Sequence, residues 1–249
     1  MILENLKQQI TLALEQGHSV SKVKDLVDAA YNEILKTIEP EENVIKGRHG
    51  KCIWEIRNNI LTIYPIEGTD GYLCDQKELC CSSPWEKYAE DIYHVEVLPG
   101  VHTETHAGYL FAGLKCCETM NLTNLNTTHT KHMTNMFAGC SKLKQILFGG
   151  AFDTSHVKSM DYMFHICSSL QRLDISSFNT SQVINMASMF AGCTSLEELL
   201  LKFDTKNVTD LGNIFTNCMR LQATYKFDLR NAIRKSDMCW HSHVTIEEK

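Results

Sequence analysis

The sequence predicts an α/β solenoid, a stack of short repeats that each contribute one parallel strand and one helical segment. The first observation is a phenylalanine that recurs at intervals of 25 to 27 residues. The second is a cysteine that follows four of these phenylalanines three positions later. A period of this size indicates units that bury their apolar faces only against their neighbours. The phenylalanines are Phe111, Phe137, Phe164, Phe190 and Phe215, and the cysteines are Cys140, Cys167, Cys193 and Cys218.

The helical segment of each repeat is predicted from a polar start followed by apolar residues at steps of three and four. The cluster Asp153-Thr154-Ser155, with similar clusters at Asn179 and Asp204, can accept hydrogen bonds from the free N–H groups of a first helical turn. The following apolar residues then share one face of a helix of about three turns. In one copy these residues are Val157, Met160, either Met163 or Phe164, and Cys167.

A short apolar stretch after each cysteine predicts the strand of the repeat. Because side chains alternate along a strand, Leu173 and Ile175 are expected to face the core and Asp174 the solvent. A mixed apolar and polar row of this kind suits contact with a partner, although scattered surface residues would give the same pattern. The predicted binding residues are Asn121, Gln145, Leu147, Arg172, Asp174, Glu198, Leu200 and Tyr225.

Four regions follow from the positions of the repeats. Residues 1–45 are predicted to form a helical hairpin, because apolar residues recur at helical spacing before and after Gly17. Residues 46–105 are predicted as a β-rich N-terminal cap, 106–230 as a five-repeat solenoid, and 231–249 as a C-terminal tail or cap. The helices within residues 1–40 also offer a possible surface for oligomerisation.

The segment from Phe152 to Phe164 resembles the repeat of the BspA-like leucine-rich-repeat family of bacterial surface proteins, which runs roughly FDTSNVTDMSYMF. The resemblance covers about residues 50–230 and leaves the first 45 residues unmatched. It implies a leucine-rich-repeat-like solenoid and a role in adhesion or host interaction. No catalytic residue belongs to that repeat.

The sequence therefore favours a non-enzymatic interaction or adhesion module that binds a protein or a surface glycan through its sheet. The alternative is a structural or assembly component, for example of a phage particle, that is docked by its N-terminal helices. A third hypothesis is a metal protein, because the thiolate of Cys239 and the imidazoles of His241 and His243 are zinc-type ligands. Their spacing is not that of a usual zinc module, and no nucleophile elbow or P-loop is present, so we expect no metal, no cofactor and no catalytic residue.

Composition bounds the remaining function classes. A net charge of −6 with 22% charged residues argues against nucleic-acid binding. The sequence has no apolar run long enough to span a bilayer, and the stretch from Met1 to Lys7 lacks the apolar block of a signal peptide. The absence of a signal-peptide pattern and the prediction of buried, reduced cysteines together favour a cytoplasmic or particle-associated protein over a secreted one.

Overall fold

The computed structural model describes residues 44–73 and 83–249. The predicted helical hairpin and the predicted oligomerisation surface lie outside the described residues, apart from the last two positions of the hairpin range. Ile45 already belongs to the first strand. Both predictions therefore stay predictions.

Ten strands run through the described residues, and a single-turn 3-10 helix lies at Glu86–Tyr88. The strands are β1 (Ile45–His49), β2 (Cys52–Arg57), β3 (Ile60–Pro65), β4 (His94–Val97), β5 (Thr119–Leu122), β6 (Gln145–Phe148), β7 (Arg172–Asp174), β8 (Glu198–Leu200), β9 (Gln222–Phe227) and β10 (His243–Glu248). β1 to β3 form an antiparallel meander, and β4, β5 and β6 continue it as parallel strands. β7 pairs with β8 and β9 with β10, both parallel.

The strands stack in register, one per repeat, as the sequence predicts for a solenoid. Asn121 lies opposite Leu147, and Asp174 opposite Leu200. The sheet is not continuous, because no ladder joins β6 to β7 or β8 to β9 in the described residues. We call these two places the first gap and the second gap.

The predicted helical segment of each repeat is wrong, because the chain there forms a ribbon of tight turns. In the repeat that holds Phe164, the N–H of His165 donates to the carbonyl of Tyr162 only three residues back, at 3.0 Å. Tyr162 and Ile166 have left-handed φ angles of 58° and 57°, which interrupt any helix. Alternate N–H groups bond to the next repeat instead: Met160 to Asn185, Tyr162 to Ala187, Phe164 to Met189 and Ile166 to Ala191.

The signals that suggested a helix have other roles in this ribbon. The Oδ1 of Asp153 accepts the N–H of Ser155 at 2.8 Å, which closes an Asx turn and not a first helical turn. Buried Thr154 donates its hydroxyl to the carbonyl of Asn179 in the next repeat at 3.1 Å. Apolar residues at steps of three, such as Val157 and Met160, also fit successive three-residue turns.

A column of stacked rings forms the centre of the repeats, as the recurring phenylalanine predicts. Neighbouring rings lie between 5.3 and 5.9 Å apart and are inclined by at most 15°. Buried Trp85 continues the column before Phe111 at 6.1 Å, and its indole N–H donates to the carbonyl of Leu110 at 3.0 Å. The rings belong to Phe111, Phe137, Phe164, Phe190 and Phe215.

The recurring cysteines form a second buried column. Each thiol donates to the carbonyl of the phenylalanine in the preceding repeat, at 3.1 Å from Cys193 to Phe164 and from Cys218 to Phe190. Burial raises the pKa of Cys218 to about 12, so the thiol stays protonated at neutral pH. The cysteines of the described residues are free thiols.

Residues 231–249, predicted as a tail or cap, continue the stacking. The N–H of Phe215 donates to the carbonyl of Met238 at 2.8 Å, as the other phenylalanines do to their neighbours. β10 adds a strand beside β9, with Thr245 opposite Thr224.

Candidate functional site: the outer face of the sheet

Seven of the eight predicted binding residues lie on the outer face of the sheet. Leu147 and Leu200 are 45% and 47% exposed. Asn121 and Glu198 are half-buried, and Gln145, Arg172 and Asp174 are exposed. The alternation of the sequence therefore assigns these seven residues to the correct face.

The predicted orientation of Tyr225 is wrong. Its ring stacks on Phe215 at 5.5 Å inside the repeat, and Thr224 takes the exposed position. The cause is that this repeat has one residue fewer before its strand. The inward residue Ala223 lies two positions after buried Leu221, whereas the first inward residue of β6, β7 and β8 lies three positions after the corresponding leucine. Burial raises the pKa of the Tyr225 phenol to about 12.

The half of the face nearest the N-terminus is polar and internally bonded. The side-chain amide of Asn121 donates to Glu96 Oε1 at 2.9 Å. His94 Nδ1 lies 2.6 Å from the hydroxyl of Thr119. These groups have partners already, so this half of the face offers fewer open contacts.

The half formed by β6, β7 and β8 is charged and more open. Arg172 pairs with Glu198 at 2.9 Å, and Lys144 pairs with Glu118 at 2.7 Å. All four side chains are at least partly open to solvent, where an ion pair adds little stability. The N–H and hydroxyl of Ser176 lower the pKa of the Asp174 carboxyl, so it is ionised at neutral pH. Both signs of charge are therefore available to a ligand.

A groove of about 540 Å³ lies over the first gap. It brings together five of the predicted residues: Gln145, Arg172, Asp174, Glu198 and Leu200. Leu147 is not part of its lining. The sequence does not predict Lys144 as part of the groove, because alternation starting from outward Gln145 would place Lys144 on the inner face. In the structure Lys144 precedes β6 and its side chain extends into solvent. The core residue Leu173 forms the floor.

The third hypothesis, a metal site, has no geometric support in the described residues. Within them no three His, Cys, Asp or Glu side chains converge in a way that could hold a metal ion. Of the candidate ligands, His241 stacks on Trp240 with ring centroids 3.8 Å apart, and His243 lies in β10. Among the same residues, no helix has the length and apolar character to cross a membrane.

The chain is similar to one family model and to solved leucine-rich proteins. A family model described as a Mycoplasma protein of unknown function, DUF285, matches residues 105–227. A solved leucine-rich cell surface protein from Faecalibacterium prausnitzii A2-165 is 17% identical, with a TM-score of 0.47 over 84% of this chain and 56% of that one. A leucine-rich-repeat protein from T. pallidum is 16% identical, with a TM-score of 0.35 over 84% of this chain and 85% of that one. No curated protein matches the chain.

These relatives limit what carries over to this chain. The chain spans little more than half the length of the protein from F. prausnitzii.

Proposed function

We propose that this chain is a non-enzymatic binding module that takes a protein or a surface glycan on the outer face of its sheet. The observation that carries the proposal is the groove on β6, β7 and β8, where exposed leucine and charged side chains surround the first gap. A role in adhesion follows from the resemblance of the repeat to surface proteins.

The contrast between the two faces of the strands supports this function. Inward residues such as Leu173 and Leu199 are almost fully buried, which fixes the scaffold. Outward residues at matching positions differ from strand to strand, from Asn121 through Leu147 and Asp174 to Leu200. A rigid scaffold with varied outward side chains is how solenoid repeats build a binding surface.

The exposed leucines are the expected anchors of the contact. Burial of a leucine side chain releases about 1.5 to 3 kcal/mol when it is complete, and roughly half of that remains available at Leu147 and Leu200. The surrounding charges act as a polar rim that orients a partner.

The test is binding to immobilised purified extracellular-matrix proteins and oligosaccharides, measured by surface plasmon resonance. We expect Leu200→Glu and Leu147→Glu to weaken any detected interaction by about tenfold or more, since a buried charge without a partner costs at least about 1.4 kcal/mol. The matched control is Ile184→Glu, because Ile184 is 45% exposed but lies outside the strands. Equal affinity for all three variants would exclude the sheet face.

A further inference from the structure

The two gaps in the sheet differ in how their backbone groups are satisfied. At the second gap, the hydroxyl of Tyr225 reaches across and donates to the carbonyl of Leu199 at 2.9 Å. A side-chain hydroxyl there takes the place of the N–H that a neighbouring strand would supply. The shorter spacing before β9, which turns Tyr225 inward, also places its hydroxyl in the second gap.

At the first gap, the carbonyl of Ile146 corresponds to that of Leu199, but no side-chain hydroxyl of the described residues bonds to it. Ile146 follows Phe137 by nine positions, as Leu199 follows Phe190, so the two carbonyls hold the same place in their repeats. In the part of the chain that the structure describes, no side chain donates to the carbonyl of Ile146.

Backbone groups of β7 also point towards this gap. The N–H of Ile175, the residue directly after β7, donates to the carbonyl of Leu200 in β8 at 2.9 Å, so the backbone groups of odd-numbered residues here face β8. In a parallel ladder the intervening residues face the other side, so the N–H and C=O groups of Arg172 and Asp174 face β6. Donors and acceptors thus lie on the same gap.

The width of the first gap selects what can occupy it. Cα atoms of β6 and β7 approach within 8 Å. An inserted polypeptide strand needs about 9.5 Å between its two neighbours, twice the usual strand spacing. An extended peptide therefore does not fit between β6 and β7, whereas a hydroxyl group, with one heavy atom, needs far less room.

We infer that the first gap is a saccharide-binding site, in which sugar hydroxyls bond the backbone groups of Ile146, Arg172 and Asp174. The inference rests on the proposed function, because it places the ligand on the same face of the sheet. Hydroxyls of a sugar ring both donate and accept, which matches a gap that presents C=O and N–H groups together.

The side chains around the gap suit the same ligand. Asp174 and Glu198 accept hydrogen bonds from hydroxyls, and Lys144 and Arg172 donate to ring and hydroxyl oxygens. Leu200 offers an apolar surface for the C–H face of the sugar ring. The groove volume of about 540 Å³ lies within the range of small-ligand sites.

The experiment begins with a printed array of neutral, sialylated and sulfated oligosaccharides and continues with the strongest binder. We expect hydrogen exchange at the amides of Arg172 and Asp174 to slow when that oligosaccharide is added, because its oxygens accept from these groups. The control is the amide of Ile175, which is already bonded within the sheet and should not change.

A matched pair of variants tests the side chains. Arg172→Ala should weaken oligosaccharide binding by about tenfold, the loss expected for a hydrogen bond to a charged group. Arg220→Ala should leave binding unchanged, because Arg220 is also exposed and paired with a glutamate but lies outside the groove.

The outcomes separate this inference from the proposed function. Absence of binding to every oligosaccharide on the array, or binding without slowed exchange at Arg172 and Asp174, would overturn the saccharide site. If a purified protein still bound and Leu200→Glu weakened it, the sheet face would remain the binding surface.

Discussion

At the scale of single residues, buried polar side chains join one repeat to the next. Thr127, Thr154 and Thr180 each donate a hydroxyl to a carbonyl of the following repeat, at 2.7 to 3.1 Å. The buried thiols do the same in the opposite direction along the stack. Threonine and cysteine therefore recur because each fills core space and satisfies a buried carbonyl.

Replacement of Thr180 by valine tests this role. The hydroxyl of Thr180 donates to the carbonyl of Asp204 at 3.1 Å and accepts its N–H at 2.8 Å. Thr180→Val keeps the shape but leaves both groups unpaired, so we expect a loss of about 1 to 3 kcal/mol in urea unfolding. Thr123→Val, at an exposed position, should change stability by less than about 0.5 kcal/mol. Equal losses of stability in the two variants would show that the buried hydrogen bonds of Thr180 do not stabilise the fold.

The thiol column predicts a loss of stability in alkali. The pKa of Cys218 is about 12 in the folded protein, against 9.0 for an unperturbed thiol. Above pH 9 the unfolded chain releases the thiol proton, whereas the folded protein keeps it. The contribution of Cys218 to the free energy of unfolding is therefore complete below pH 9 and falls as pH rises towards 12. The expected slope is about 1.4 kcal/mol per pH unit for this thiol.

Unfolding by urea at several pH values between 9 and 11 measures that slope. The variant Cys218→Ala removes the thiol, so its stability should fall less steeply with pH than that of the parent protein, whatever its absolute stability. Parallel curves would mean that Cys218 ionises freely in the folded state.

At the scale of elements, the sequence predicts the strands better than the segments between them. Alternation identifies the outward residues of β5 to β8, because one buried side requires a period of two. It fails at β9, where a single missing residue turns Tyr225 inward. The sequence predicts a helix where the ribbon lies, because apolar residues at steps of three occur in both, and only the partners of the N–H groups distinguish them.

One position in each turn of the ribbon requires a left-handed backbone conformation, and not every repeat has a residue that adopts it easily. Gly113, Gly139 and Gly192 hold a left-handed position near the end of the ribbon, where φ is positive, and Ile166 holds the equivalent position with φ of 57°. A β-branched side chain is strained there by about 1 to 3 kcal/mol.

Relief of that strain should raise stability. We expect Ile166→Asn to raise the free energy of unfolding by about 1 kcal/mol, because asparagine tolerates the left-handed region at little cost. Asn217 already holds this position in another repeat, with φ of 59°. Ile184→Asn is the control, since Ile184 is equally exposed but does not have positive φ. A loss of stability in Ile166→Asn would show that the isoleucine contributes more by packing than its backbone costs.

At the scale of the whole described unit, the repeats act as one core, and the proposed binding surface lies along one side of it. The period of the phenylalanines predicts the stacking, because rings in equivalent places must meet when repeats pile up. The two gaps and the groove could not be predicted, since alternation indicates which side chains face outward but not which neighbouring strands form a ladder. The role of Trp85 at the end of the ring column was also missed, because Trp85 lies outside the repeat pattern.

Native-state hydrogen exchange at the phenylalanine amides tests the stacking most directly. In each repeat the phenylalanine N–H donates to a carbonyl of the next repeat, at 2.8 to 3.0 Å. We predict that the amides of Phe137, Phe164 and Phe190 exchange only by global unfolding, with the same free energy. Fast exchange at any of the three, or a separate free energy for each repeat, would contradict a continuous shared core.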